Sequence, residues 1–193
     1  VKKLATNFTK LPAAQVSALS AAQLKALSAG QITGLTEDQA AALTPAQAAT
    51  LGTNFVTNLT VAIANNMPAE TFKALPAAVV NALSLGTLSE ANLGALTATQ
   101  VAGLSTGKLT ALLGNTSASL ITNAALAGLT KSNVAGLDIQ KLSDVQFAAL
   151  TPAQLALLKT TTGTAYDVAD ITDTQMAAFT PTQLAGLTSS CLL

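Results

Sequence analysis

Between Ser20 and Leu51 the chain reads SAAQLKAL, SAGQITGL, TEDQAAAL and TPAQAATL. One eight-residue pattern runs through it: Ser or Thr, two variable residues, Gln, an apolar residue, two mostly small residues, Leu. A period of eight forbids one long regular element. Eight residues advance an α-helix by about 800°, so an apolar stripe would turn by roughly 80° per repeat and never settle on one core. On a strand the fifth and eighth places point to opposite faces, whereas on a helix they share one. The octad therefore predicts short helices, one per repeat, bent apart at each Leu-Ser or Leu-Thr joint.

Each octad also carries the signals of a helix start. Ser or Thr at the first place is a favoured N-cap, its hydroxyl accepting from an amide two or three residues on. Gln at the fourth place is N3, where its side chain can reach back to the cap's own N–H and close a capping box. Pro45, Pro152 and Pro181 stand at N1, where a fixed φ suits a helix and the missing N–H is not needed. The preceding Leu is N′ and the apolar fifth residue N4, the pair of a hydrophobic staple. Caps and prolines recurring every eight residues also oppose continuation of a helix. Gln holds the fourth place in Gln15, Gln23, Gln31, Gln39, Gln47, Gln100, Gln146, Gln154, Gln175 and Gln183, and Asn in Asn7, Asn92 and Asn133. Cap geometry accounts for these residues without any catalytic role.

The frame extends over the whole chain as one continuous array, 1–193. Octads cover 4–83, 89–137, 143–166 and 172–187, with pentads at 84–88, 138–142 and 167–171 and cut repeats at 1–3 and 188–193. One unit, Leu113 to Ile121, has nine residues and a loop-like Gly114-Asn115-Thr116-Ser117. Pro12, Pro68 and Pro76 take the first place, so three helix starts lose the cap hydroxyl; Gly52 to Leu59 has Phe55 where Gln is expected. The pentads keep apolar residues at their second and fifth places, which predicts that they trim a corner while still feeding the same core. The fold class expected is an all-α solenoid of very short helices with a Leu/Ala core. Three octads per coil is the expectation and four the open alternative. Gly at the seventh place (Gly34, Gly103, Gly128, Gly136, Gly186) allows a left-handed helix end or a close backbone approach.

Composition narrows function. The chain has nine Lys, no Arg, nine acidic residues and no His, so it lacks the basic surface that nucleic-acid binding draws on. No run approaches the roughly 18 apolar residues of a membrane span, and one cysteine, Cys191, rules out an internal disulfide framework. The Thr/Ser/Asn-rich, charge-poor composition leans extracellular.

LTPAQAATL (43–51), LTPAQLALL (150–158) and FTPTQLAGL (179–187) resemble the tandem LTxxQhxxL repeats of large bacterial secreted and cell-surface proteins. The resemblance covers essentially the whole chain. It implies a bacterial extracellular structural segment and carries over no catalytic or binding residues.

Candidate sites are few. Without His there is no Ser/His/Asp set, no Cys/His pair and no zinc-ligand spacing; no enzyme activity and no cofactor are expected. Asp167, Asp170 and Asp173, three residues apart, form a weak candidate Ca²⁺ site, and the plainer reading makes them cap residues of a solvated corner. Glu37 and Asp38 complement a helix dipole. Cys191 is an idle thiol or an intermolecular link, and Tyr166 and the Phe residues are core. The expected role is structural: a segment or subunit of an extracellular fibre or stalk. Thr188 to Leu193 supplies the first six places of an octad and Val1 to Lys3 roughly the last three, so copies stack end to end into open filaments. The alternative is a solenoid binding module for a protein or glycan, with Asn54, Asn58, Asn65 and Asn66 as hydrogen-bonding residues. A further alternative is a piece of a longer array with no activity of its own.

Overall fold

The computed structural model describes residues 8–113, 119–134, 137, 142–155 and 171–186. It is all-helical, with no strand among the described residues. The chain groups into two compact units, Val1–Leu96 and Thr97–Leu193, divided at an octad joint. The first holds α1 (Ala13–Val16), α2 (Ala21–Lys25), α3 (Ala29–Thr33), α4 (Glu37–Ala41), α5 (Pro45–Ala48), α6 (Thr53–Asn58), α7 (Val61–Asn65), α8 (Ala69–Lys73), α9 (Ala77–Ala82) and α10 (Glu90–Gly94). Single 3-10 turns stand at Phe8–Lys10 and Leu85–Thr87. The second holds α11 (Ala98–Ala102), α12 (Thr106–Leu113), α13 (Asn123–Leu126), α14 (Lys131–Val134), α15 (Asp144–Ala148), α16 (Pro152–Leu155), α17 (Asp173–Ala177) and α18 (Pro181–Gly186).

Except for α12, which runs on into Leu113, the helices stop before the next repeat's cap begins. Thr36, at φ −77° and ψ 163°, is extended backbone and cannot continue α3 into α4. Thr44 (φ −90°, ψ 157°) does the same between α4 and α5. Helices of four to six residues have no stability of their own, so packing must hold them. In the first unit α1 packs on α4, α3 on α6, α4 on α7, α5 on α8 and α6 on α9, each against the helix three repeats away. The contact of α8 with α10 obeys the same rule once the Leu85–Thr87 turn is counted. In the second unit α11 packs on α13, α12 on α14, α13 on α15, α14 on α16, α15 on α17 and α16 on α18.

The core follows the octad. Eighth-place residues such as Leu43, Leu51, Met67, Leu75, Leu83, Leu104 and Leu150 are buried, as are the fifth-place Val16, Leu24, Ile32, Phe72, Val101 and Phe147. Phe147 meets Phe179 edge-on at 5.1 Å, a geometry worth about 0.5–1.5 kcal/mol beyond burial. Phe55 occupies a Gln place and is buried in the core. The first pentad behaves as a shortened octad: Leu85 and Leu88, three apart across a single turn, are both buried.

The glycines act through closeness. Gly34 (φ −91°) and Gly103 (φ −84°) end their helices without entering the left-handed region, which corrects one of the two roles expected of them. Gly128 shows the other: a Cβ there would lie 2.0 Å from the carbonyl oxygen of Ala98, so α11 begins directly against its Cα. Gly30 has open space around it. Gly128→Ala should therefore cost about 1–3 kcal/mol as the backbones separate. Gly30→Ala, in the first turn of α3, should gain about 0.5–1 kcal/mol. Urea denaturation of both variants checks the contrast.

Candidate functional site

The recurring polar group is the fourth-place carboxamide. In the second octad shown above, Ser28 N–H donates to Gln31 Oε1 (2.8 Å) and Gln31 N–H to Ser28 Oγ (3.4 Å). The same reciprocal pair is made by Ser20 with Gln23, Thr36 with Gln39, Thr44 with Gln47, Thr97 with Gln100 and Ser143 with Gln146. It recurs in Thr151 with Gln154, Thr172 with Gln175 and Thr180 with Gln183. Gln15 departs from the set. Its cap is Pro12, which has neither hydroxyl nor N–H, so no box can close and no side-chain cap bond forms.

The box uses only the oxygen of the carboxamide. Gln39 Nε2 donates to the carbonyls of Phe8 (3.0 Å) and Leu11 (2.9 Å). Gln47 Nε2 donates to Val16 (2.8 Å), Ser17 (3.1 Å) and Leu19 (2.9 Å). Gln154 reaches Leu129 (2.8 Å), Gln175 reaches Leu142 (3.2 Å), and Gln183 reaches Ala148 (3.0 Å) and Leu150 (2.6 Å). Shorter side chains make the same link: Thr71 Oγ1 to Leu43 (2.8 Å), Asn54 Nδ2 to Leu27 (3.2 Å) and Asn133 Nδ2 to Leu104 (2.7 Å). Almost every acceptor closes an earlier helix, where the last carbonyls have no intrahelical donor. One carboxamide thus caps the start of its own helix and satisfies the end of an earlier one. Cap geometry alone, the sequence-level account of these residues, covers half of what they do. Glutamate could serve the box, but it has no donor for the carbonyls.

The sequence distance of this link measures the irregular repeats. Regular octads place the eighth-place acceptor 28 residues back, as for Gln39 to Leu11 and Gln47 to Leu19. Across the nine-residue unit the distance is 29, for Asn133 to Leu104. Across the 138–142 pentad it is 25, for Gln154 to Leu129, the three residues by which a pentad falls short of an octad. Gln175 to Leu142 and Gln183 to Leu150 span 33. That is five residues more than the regular octad distance, and the pentad at 167–171 lies, apart from Ile171, outside the described residues.

Fourth places with an apolar residue, such as Ile63, Val79 and Ala125, lack this side-chain link, and Asn92 makes only half of it. The Asn92 side chain donates to the Ala64 carbonyl (2.7 Å) and makes no bond to the Ser89 N–H, and its buried Oδ1 has no partner. Length is not the reason, since Asn133 both accepts from Thr130 N–H (3.0 Å) and donates to Leu104 (2.7 Å). Asn65 replaces Asn92 at this cap, accepting from Ser89 N–H (2.7 Å) and donating to Thr87 (3.0 Å). At Ile63 an apolar residue stands in the Gln place, and an open groove lies there, lined by Thr33, Thr36, Glu37, Thr60, Ile63 and Asn66 among others. The other asparagines expected to meet a glycan donate to backbone carbonyls, Asn54 to Leu27 of an earlier repeat, and Asn58 and Asn66 along their own helices to Asn54 (2.7 Å) and Ala62 (2.9 Å).

Of the acidic candidates, Asp173 is the exposed first residue of α17, while Asp167 and Asp170 lie outside the described residues, as do Tyr166 and Cys191. Glu37 and Asp38 occupy the first turn of α4. Among the described residues no group of three His, Cys, Asp or Glu side chains is placed to hold a metal ion, and no helix is long and apolar enough to cross a membrane. The arrangement defines an all-helical repeat protein. No protein family, curated protein or solved structure matches the chain.

The dual role predicts that Gln47→Glu costs about 2–5 kcal/mol at neutral pH, because buried carbonyls lose their donor and face a carboxylate. Burial raises that carboxyl's folded pKa above its unfolded value, so the folded state binds more protons. The defect should accordingly shrink as pH falls through the raised pKa toward the ordinary glutamate range. Gln23 is exposed, and its carboxamide nitrogen meets no acceptor among the described residues. Gln23→Glu should lie within about 0.5 kcal/mol of the parent at both pH values. Paired melts at pH 7 and pH 5 test this.

Proposed function

We propose that the chain is a structural repeat protein: an all-α solenoid with three helices per coil, serving as a segment or subunit of an extracellular or cell-surface fibre or stalk. The observation that carries the reading is the carboxamide ladder. It ties helix after helix to an earlier repeat by the same kind of bond, so successive layers present one another with similar donors, carbonyls and apolar residues. A chain so built extends by addition of layers, and a head-to-tail contact between copies repeats the internal contact. Such heterologous contacts generate open filaments. The resemblance to LTxxQhxxL repeats of bacterial secreted and surface proteins supports the same reading and the extracellular location. So does a surface with few charges to hold or repel a partner.

A second reading, a solenoid binding module, is favoured by the groove at Ile63, whose hydroxyl, carboxamide and carboxylate groups suit a hydroxyl-rich ligand such as a glycan. The two readings separate by electron microscopy and sedimentation of the purified chain. Rods whose length grows with concentration are expected. Monodisperse single particles at high concentration, together with a specific glycan-array hit abolished by Ile63→Gln, would replace the structural reading with the binding one.

A further inference from the structure

Ile63 brings no carboxamide to its fourth place, and two backbone groups there show what a carboxamide would have met. The first is the N–H of Thr60, the cap of α7. Its counterparts at Thr36 and Thr44 donate to Gln39 (3.1 Å) and Gln47 (3.0 Å), whereas Thr60 N–H has no acceptor among the described residues. The second is the carbonyl of Leu35, which stands 28 residues before Ile63, the distance of the regular link. Leu27 and Leu43, one octad to either side of it, accept from Asn54 (3.2 Å) and Thr71 (2.8 Å). The Leu35 carbonyl accepts from no donor among the described residues. Both residues line one open groove of about 390 Å³ where α4 packs on α7. Val79 and Ala125 lack this combination. The cap before Val79 is Pro76, which has no N–H to satisfy. In the repeat of Ala125, Gly128 lies directly against the Ala98 backbone.

The rest of the lining suits hydroxyls. Thr60 Oγ1 accepts from Ile63 N–H (3.3 Å), which leaves its own proton to donate. Thr33 Oγ1 donates to Ala29 (3.1 Å), which leaves its lone pairs to accept. The exposed Glu37 carboxylate accepts as well, and Ala62 and Ile63 supply an apolar patch. We propose that the groove binds the acetamido group of an N-acetylated sugar, its carbonyl accepting from Thr60 N–H, its N–H donating to the Leu35 carbonyl and its methyl lying on Ala62 and Ile63. The amide answers the donor and the acceptor that a Gln carboxamide answers elsewhere in the chain, and the ring hydroxyls meet Thr33, Thr60 and Glu37. A glutamine side chain of a protein partner would offer the same amide without those hydroxyls. The volume, near the low end for small-molecule sites, limits the occupant to about one sugar residue. The proposal rests on the glycan-binding reading of the groove and names the sugar; it does not depend on whether chains assemble.

The test is nuclear magnetic resonance titration of the full chain with the N-acetylglucosamine trisaccharide and with the glucose trisaccharide of the same linkage. The acetylated sugar should bind at least about tenfold more tightly, since the plain one leaves both backbone groups unanswered. It should shift the Thr60 amide and Leu35 carbonyl resonances. Ile63→Gln should melt no lower than the parent, because its carboxamide closes the box and reaches Leu35, and should bind the acetylated sugar at least about tenfold more weakly. Equal binding of the two sugars, shifts confined to other repeats, or undiminished binding by folded Ile63→Gln would overturn the acetamido site while leaving a glycan-binding module standing. A short glutamine-containing peptide that shifts the same resonances at lower concentration than the sugar would overturn it in favour of a protein partner. No binding of either sugar at about 10 mM would overturn the glycan-binding reading with it.

Discussion

The carboxamide of the fourth-place glutamine is the interaction on which the rest depends. A helix of four to six residues is nearly all terminus: it leaves about four amide N–H and about four carbonyl groups without intrahelical partners, and little between them. Burying such helices side by side would leave many orphaned polar groups, each costing about 1–3 kcal/mol. Glutamine answers both ends together, its oxygen closing the start of one helix and its nitrogen the end of another. Gln47, bonded to Thr44 and to the carbonyls of Val16, Ser17 and Leu19, does the whole of this within one side chain.

This explains a composition that looks unsuited to a stable core. Aromatic residues make up 3% of the chain and charged residues 9%. Leu and Ala fill narrow space but do not specify register strongly, since small apolar side chains slide past one another at little cost. The directional bonds of the ladder set register instead. They also absorb irregularity: the acceptor for Asn133 or Gln154 remains the residue that closes an earlier repeat although the chain between is one residue longer or three shorter. An open groove lies at Ile63, where the fourth place holds an apolar residue.

Much of this was legible in the sequence, and the reasons are local. Ser or Thr three residues before Gln is a helix start wherever it occurs, so the caps, the helix boundaries and the inward Leu follow from nearest-neighbour chemistry. The nitrogen half of the ladder was not read, although one signal pointed to it: Gln, and not Glu, holds the N3 place ten times, and a capping box alone has no use for that difference. What depends on which distant residue arrives opposite had no such signal. That Asn65 would replace Asn92 at the Ser89 cap and that Ala98 would press on Gly128 are both set by tertiary adjacency. Gln15 was legible and misread, since Pro12 already removes both groups a box requires.

The most direct measurement is hydrogen exchange at the glutamine side chains, followed by nuclear magnetic resonance of their carboxamide NH₂ groups. Groups that donate to buried carbonyls exchange only when the structure opens. The Nε2 protons of Gln39, Gln47, Gln154 and Gln183 should be strongly protected, while those of Gln15 and Gln23 in the dilute chain should exchange as freely as in an unfolded peptide. Equal, rapid exchange at all of these side chains would contradict the ladder and with it the account of how such short helices hold together.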